Sequence, residues 1–267
     1  MAFVESPLFF QRAQVLRYGP DAPCAPFFAG APLRVLFATD IHLSRMFPDG
    51  RLERLLAQMA ALSPDLILWG GDYAETAEAQ ERFFRAAQER LKPLLGMFGA
   101  VGNNDRECFS MRLDRLTECM RAHGVEPLVN RSVRLTWGNS ALWVGGLDDW
   151  KHGQPGGRLF EGAREGELCL LLSHHPRLAY THLACCARRP DLMLCGHTHG
   201  GQWNLFGLSA YSLLGFEDEG LGHRNRLVSG LYRVEGVPVL VSNGVGTSRV
   251  PLRVGAPAQL HLLSFGK

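Results

Sequence analysis

Six apolar runs of the kind that forms β-strands each lead straight into residues that ionise or bind cations, and this recurrence limits the fold more than any other feature. The runs are "LRVLFATD" (33 to 40), "DLILWGGD" (65 to 72), "LLGMFGAVGNND" (94 to 105), "ALWVGGLDD" (141 to 149), "LCLLLSHH" (168 to 175) and "DLMLCGHTH" (191 to 199). Among them, "RLERLLAQMAALSP", "AQERFFRAAQERLKPL" and "MRLDRLTECMRAHG" carry apolar residues three and four apart, as a helix with one core-facing side does. The third ends in Gly124, which suits a helix C-cap, and "RLAYTHLACCARR" reads as a further helix. Beyond residue 200 the pattern changes to short strands bounded by Gly and Pro: "GLYRVEG", "PVLVSNG" and "AQLHLLSF". Strands alternating with helices predict an α/β fold in which parallel neighbours bring their carboxyl ends to one sheet edge.

A chain of 267 residues, 46% of them hydrophobic, buries a substantial core, and it reads as one domain over 33–267. Residues 1–32, rich in Pro and Phe, read as an extended lead-in. A formal net charge of +2, with no basic stripe interleaved with aromatics, argues against a nucleic-acid partner. The seven cysteines follow no metal-binding spacing and several sit in apolar runs, as Cys185 and Cys186 do in their helix, which fits a reduced compartment. The first residues carry no basic segment followed by a long apolar core, and no run reaches the roughly 18 to 20 apolar residues of a membrane helix. The expectation is a cytoplasmic location.

The chemistry lies at the strand ends. Asp40 and His42 close the first run, Asp72 the second, Asn103 and Asp105 the third, His174 and His175 the fifth, His197 and His199 the sixth. Each alone is an ordinary cap or a satisfied polar group. Gathered on one edge they are a costly concentration of polar atoms unless something binds them, and divalent cations are the natural occupant. Asp148 and Asp149 close the fourth run, where they either meet substrate hydroxyls or turn the chain.

The motifs "DIH" (40 to 42), "GGD" (70 to 72), "GNND" (102 to 105), "SHHP" (173 to 176) and "GHTH" (196 to 199) give the chain a resemblance to the calcineurin-like metallophosphoesterases. "GHTHGGQ" followed by "SNGVGTSRVPLRVGAP" is similar to a subgroup of small bacterial phosphodiesterases that includes UDP-2,3-diacylglucosamine pyrophosphohydrolase-like proteins. The resemblance implies two mixed β-sheets packed as a sandwich and flanked by helices, a four-layer αββα fold. It implies a hydrolase with two divalent metal ions, manganese first, iron or zinc also fitting. Asp40, His42 and His199 would hold one ion, Asn103, His174 and His197 the other, and Asp72 would bridge them. Two such ions share a water, lower its pKa and clamp a phosphate in line for attack.

In many members of the family the residue after the metal-binding Asn is a His that protonates the leaving oxygen; here it is Asn104. Asn104 and Asp105 join Asp72 as candidate catalytic residues, Asn104 as a donor to the departing oxygen, Asp105 as its orienter or as a helix cap. A phosphate monoester, with a second pKa near 6, departs largely as its own anion. The substitution therefore points to a pyrophosphate or activated diester, with the lipid A precursor UDP-2,3-diacylglucosamine as the specific candidate. Soluble nucleotide or cyclic-nucleotide diesters are the alternative. A non-catalytic scaffold would need a missing ligand, and none is missing.

Substrate contacts are less legible. Arg249 and Arg253 flank "VPL" and either meet a distal phosphate or form surface ion pairs; His175 either contacts substrate beside the ligands or is a solvated turn residue. The apolar stretch 203–216 either receives acyl chains, with peripheral contact at the inner membrane, or packs on its own sheet.

Overall fold

A computed structural model describes residues 4–5, 12–19, 21–22, 30–45, 47, 49–205, 208–209, 227–248 and 250–266. Two six-stranded mixed sheets form the body. The first has the order β2 (Gln14–Tyr18), β16 (Gln259–Phe265), β3 (Leu33–Ala38), β4 (Leu66–Trp69), β5 (Met97–Gly99) and β6 (Val125–Pro127), with β16 antiparallel to β3 and every other pairing parallel. The second runs β13 (Gly230–Val234), β14 (Val237–Val241), β10 (Leu192–Cys195), β9 (Leu168–Ser173), β8 (Ser140–Gly146) and β7 (Arg131–Trp137), parallel at its centre and antiparallel at both edges. Two small ribbons complete the strands: β1 (Val4–Glu5) with β15 (Arg253–Val254), and β11 (Asn204–Leu205) with β12 (Leu208–Ser209).

Period-two alternation along the strands assigns each side chain to a layer. Leu33, Val35 and Phe37 of β3 join Leu170 and Leu172 of β9 and Leu192 and Leu194 of β10 in the core between the sheets. The intervening Leu36 and Ala38 turn outward to meet α1 (Asp49–Ala61), α2 (Ala77–Arg90) and α4 (Leu113–Ala122), through Leu55, Phe83 and Met120 among others. α2 begins at Thr76, whose hydroxyl accepts the Ala79 N–H at 3.2 Å. α4 stops where Gly124 takes a φ of +74°.

The outer face of the second sheet, with Cys169, Leu171, Met193 and Val241, is buried in a third cluster. The expected helix from 177 to 189 is only α5 (Leu178–Thr181) and a 3₁₀ turn (Leu183–Cys185), packed with Phe160 on Cys169, Met193 and Val241. The helix stops because the backbone leaves helical geometry at His182 (φ −126°) and is extended at Cys186, in a stretch whose Thr, His and Cys residues are weak helix formers. Residues 14–18, read as lead-in, are the edge strand β2, paired with β16. Among the described residues no helix is long and apolar enough to cross a membrane.

Candidate metal centre

The carboxyl ends of β3, β4, β9 and β10, with the start of the short helix α3 (Asn103–Cys108), converge on one cluster. Asp40, His42 and His199 present ligand atoms within 4.8 Å of one another, and so do Asp40, Asp72 and His174. Asp72 Oδ2 lies 3.2 Å from His174 Nε2 and 3.5 Å from His42 Nε2, so this carboxylate faces both groups. Asp40 Oδ1 lies 3.5 Å from His199 Nε2, and His197 Nδ1 is 3.2 Å from His174 Nε2.

The backbone is bent to make this possible. Asp40, His42, Asp72, His197 and His199 all have φ between 46° and 72°, the left-handed region that residues with a Cβ avoid. Each such residue costs on the order of 1 kcal/mol, and five among the candidate ligands mark strain concentrated where function needs it. Crowding adds to the constraint, because a Cβ on Gly102 would collide with the Asp72 carboxylate.

Cations fit these groups. Asn103 Oδ1 is a buried acceptor with no hydrogen-bond partner, a costly condition that a bound cation relieves, and His42 Nε2 is a buried ring nitrogen likewise without one. His174 Nδ1 sits 2.9 Å from the Gly70 carbonyl, which turns Nε2 toward Asp72. Thr39 Oγ1 donates to Asp40 Oδ2 at 2.7 Å, and the His197 N–H reaches the same carboxylate at 3.0 Å. Burial raises the Asp72 carboxyl, but His174, His42 and His197 together hold it well below the usual carboxylate range. Burial lowers the His174 imidazole, yet Asp72 carries it well above its ordinary value. His199 lies well below, through burial and then His42 and Arg253.

Asp105 takes the helix-cap place of the two expected for it. It is fully buried, and its oxygens accept N–H groups of Asp72 (2.7 Å), Gly102 (2.8 Å) and Tyr73 (2.9 Å) and the Gln80 amide (2.8 Å). It caps α3 and braces the β4 loop. Burial and then Asp72 push its carboxyl up to about 8, against those N–H donors. Asn104 stands between the ligands: Asn103 Nδ2 donates to its Oδ1 at 2.9 Å, and its amide nitrogen meets His42 Nδ1 at 3.3 Å. Its backbone N–H donates to Asp72 Oδ1 at 3.0 Å.

Arg253 is turned inward, where neither of its two expected roles, a surface ion pair or an outward reach to a phosphate, would place it. It is 1% exposed and donates to the carbonyls of Gly246, His199, Ala256 and Asn243, with one nitrogen 3.2 Å from His199 Nδ1. A residue 54 positions away cannot be matched to His199 from local pattern, so its place behind the ligand had no sequence signal. Arg249, and most of the apolar stretch 203–216, lie outside the described residues. His175 is buried against His197 and Trp150, not solvated; burial and then His197 and His174 hold its imidazole well below the ordinary value. Asp148 and Asp149 turn the chain: Asp149 Oδ2 accepts the His152 N–H at 2.7 Å, and Asp148 pairs with Arg106 of α3.

Two packed mixed sheets with buried carboxylates, imidazoles and an amide at their strand ends define a metal-dependent hydrolase of the α/β sandwich class. The sequence pattern of the calcineurin-like phosphoesterases matches residues 33–201, and the chain belongs to that family. It is 30% identical over 244 residues to the uncharacterized protein YpbG of Bacillus subtilis, covering 88% of this chain and 81% of that one. With phosphodiesterase YaeI of Escherichia coli it shares 33% identity over 179 residues, 64% of this chain and 62% of the relative. A transmembrane protein with metallophosphoesterase domain from Danio rerio is 28% identical over 246 residues; these cover 85% of this chain but only 52% of that protein.

Proposed function

We propose that this chain hydrolyses a phosphodiester or pyrophosphate bond at a dinuclear centre, with Asp40, His42 and His199 holding one ion, Asn103, His174 and His197 the other, and Asp72 facing both. The mixed nitrogen and oxygen donors suit manganese, iron or zinc, manganese being the first to test. When bound, two such ions supply a water of lowered pKa and positive charge for the transferring phosphoryl group. The residues of the chain then hold their ligand atoms toward one point and keep the surrounding layer apolar.

The observation that carries the substrate class is the Asn104 amide, occupied at one end by Asn103 and at the other by His42. A neutral amide has no proton to give, and this one is engaged with the ligands. A leaving group that departs without a donated proton is then required, which favours a pyrophosphate or an activated diester over an alkyl monoester. The naming of the Escherichia coli relative as a phosphodiesterase supports the same reading. UDP-2,3-diacylglucosamine is the specific candidate; soluble nucleotide diesters are the second reading.

Turnover by manganese-loaded protein tests this, with UDP-2,3-diacylglucosamine, bis(p-nitrophenyl) phosphate and p-nitrophenyl phosphate run side by side. Release of UMP with little monoester activity supports the lipid pyrophosphate reading, and turnover of the simple diester alone moves the substrate to soluble phosphodiesters. Faster monoester than diester hydrolysis overturns the leaving-group account. Asp72→Ala should lose both ions and all turnover, and two retained ions with full activity would remove the dinuclear assignment.

A further inference from the structure

His175 carries a buried polar atom that the ligand set does not use. The residue is 2% exposed, and its Nε2 has no hydrogen-bond partner among the described residues. The Arg177 backbone N–H donates to its Nδ1 at 3.1 Å. A backbone N–H is always a donor, so Nδ1 holds the lone pair and the ring proton sits on Nε2.

The preceding histidine is arranged the other way. His174 Nδ1 faces the Gly70 carbonyl at 2.9 Å, and a carbonyl only accepts, so Nδ1 carries a proton and Nε2 is the atom turned toward Asp72. Two consecutive histidines thus have different partners: His174 sets its ring nitrogens against Gly70 and Asp72, and His175 keeps an unpartnered Nε2–H. With its proton on Nε2, His175 is a donor without an acceptor.

That donor stands beside the centre. The His175 ring lies over the His197 ring, centroids 4.2 Å apart and planes at 32°. Trp150 packs against the same imidazole at 5.2 Å and is itself covered by the Arg177 guanidinium at 4.4 Å. These ring contacts and the Arg177 N–H on Nδ1 limit how the imidazole can turn. A phosphoester brings oxygens that only accept.

We infer that His175 Nε2–H donates a hydrogen bond to a phosphoryl oxygen of the bound substrate on the His174 and His197 side of the centre. The inference rests on the phosphoesterase reading above. The donor is a fixed dipole; no proton is transferred. Such a donor acts on the rate when its bond strengthens as charge builds on the phosphoryl oxygens.

The test compares wild type, His175→Leu and His175→Gln, each loaded with metal, by metal content, calorimetric binding of inorganic phosphate, and kcat/KM for bis(p-nitrophenyl) phosphate. His175→Leu should keep two ions and bind phosphate about 10- to 100-fold more weakly. His175→Gln, which places an amide N–H near the same point, should recover most of that loss. Unchanged phosphate binding in His175→Leu, or loss of ions in both variants, overturns the inference, the second by reducing His175 to a support for His197. A measurement on wild type stands even if the leucine variant does not fold. In zinc-loaded protein labelled with ¹⁵N-histidine, phosphate should move the His175 Nε2–H proton downfield and slow its exchange, and an unmoved signal at saturation overturns the inference alone. Wild type that holds two ions yet hydrolyses no phosphodiester or pyrophosphate overturns the reading beneath it, and this inference with it.

Discussion

The Asp105 carboxylate accepts the backbone N–H of Asp72 at 2.7 Å, tying the start of α3 to the loop that presents the central carboxylate. Its two oxygens serve four donors from three segments, so the geometry of Asp72 depends on a fully buried residue 33 positions away. Asp105→Ala should leave the N–H groups of Asp72, Tyr73 and Gly102 without partners in a buried site. At about 1 to 3 kcal/mol for each orphaned donor, unfolding in urea should move by several kcal/mol and bound metal should fall below two ions. Wild-type stability with two ions would refute this role.

Asn104→Ala removes the amide that joins Asn103 to His42. Losing a partner that orients ligands typically lowers metal affinity about 10- to 100-fold. Competition with a chelator of known affinity should show that loss while the fold persists. Asn104→His should raise turnover of alkyl phosphoesters more than that of pyrophosphates. An equal response of both classes would mean that leaving-group protonation is not what position 104 controls.

Arg253→Lys keeps a positive charge but not a planar fork that reaches the carbonyls of His199, Asn243, Gly246 and Ala256 together. Breaking a buried charged network costs about 3 to 5 kcal/mol. Because one of its nitrogens adjoins His199 Nδ1, metal titration should weaken the site built on Asp40, His42 and His199 more than the other. Equal weakening of both sites would reduce Arg253 to general support.

His261 gives a pH dependence separate from the metal centre. It is buried in β16 with Nδ1 3.2 Å from the Tyr18 hydroxyl, and burial lowers its imidazole to about 3. An exposed histidine titrates near 6.5, so between these values the unfolded chain binds a proton that the folded chain refuses. The favourable contribution is complete above about pH 6.5 and is lost as pH falls toward 3, by about 1.4 kcal/mol per pH unit. Denaturant midpoints at pH 7 and pH 5 should therefore differ more for wild type than for His261→Phe. Parallel pH dependence in the two proteins would show that His261 stays neutral in neither state.

What the sequence by itself determined was the local pattern. Apolar runs and segments with apolar residues three and four apart marked most of the strands and the helices α1, α2 and α4, and the polar residues at strand ends marked Asp40, His42, Asp72, Asn103, His174, His197 and His199. These signals are legible because each depends on neighbours within one element. The shortness of α5, the strand at 14–18, the bracing by Asp105, the burial of Arg253 and the different partners of His174 and His175 were decided only by tertiary structure. Each depends on partners far along the chain: β16 for β2, Asp72 for Asp105, His199 for Arg253, the Gly70 carbonyl for His174. Chain pattern tells which residues can bind or donate; only the packing of distant segments settles which atom of each is left to do so.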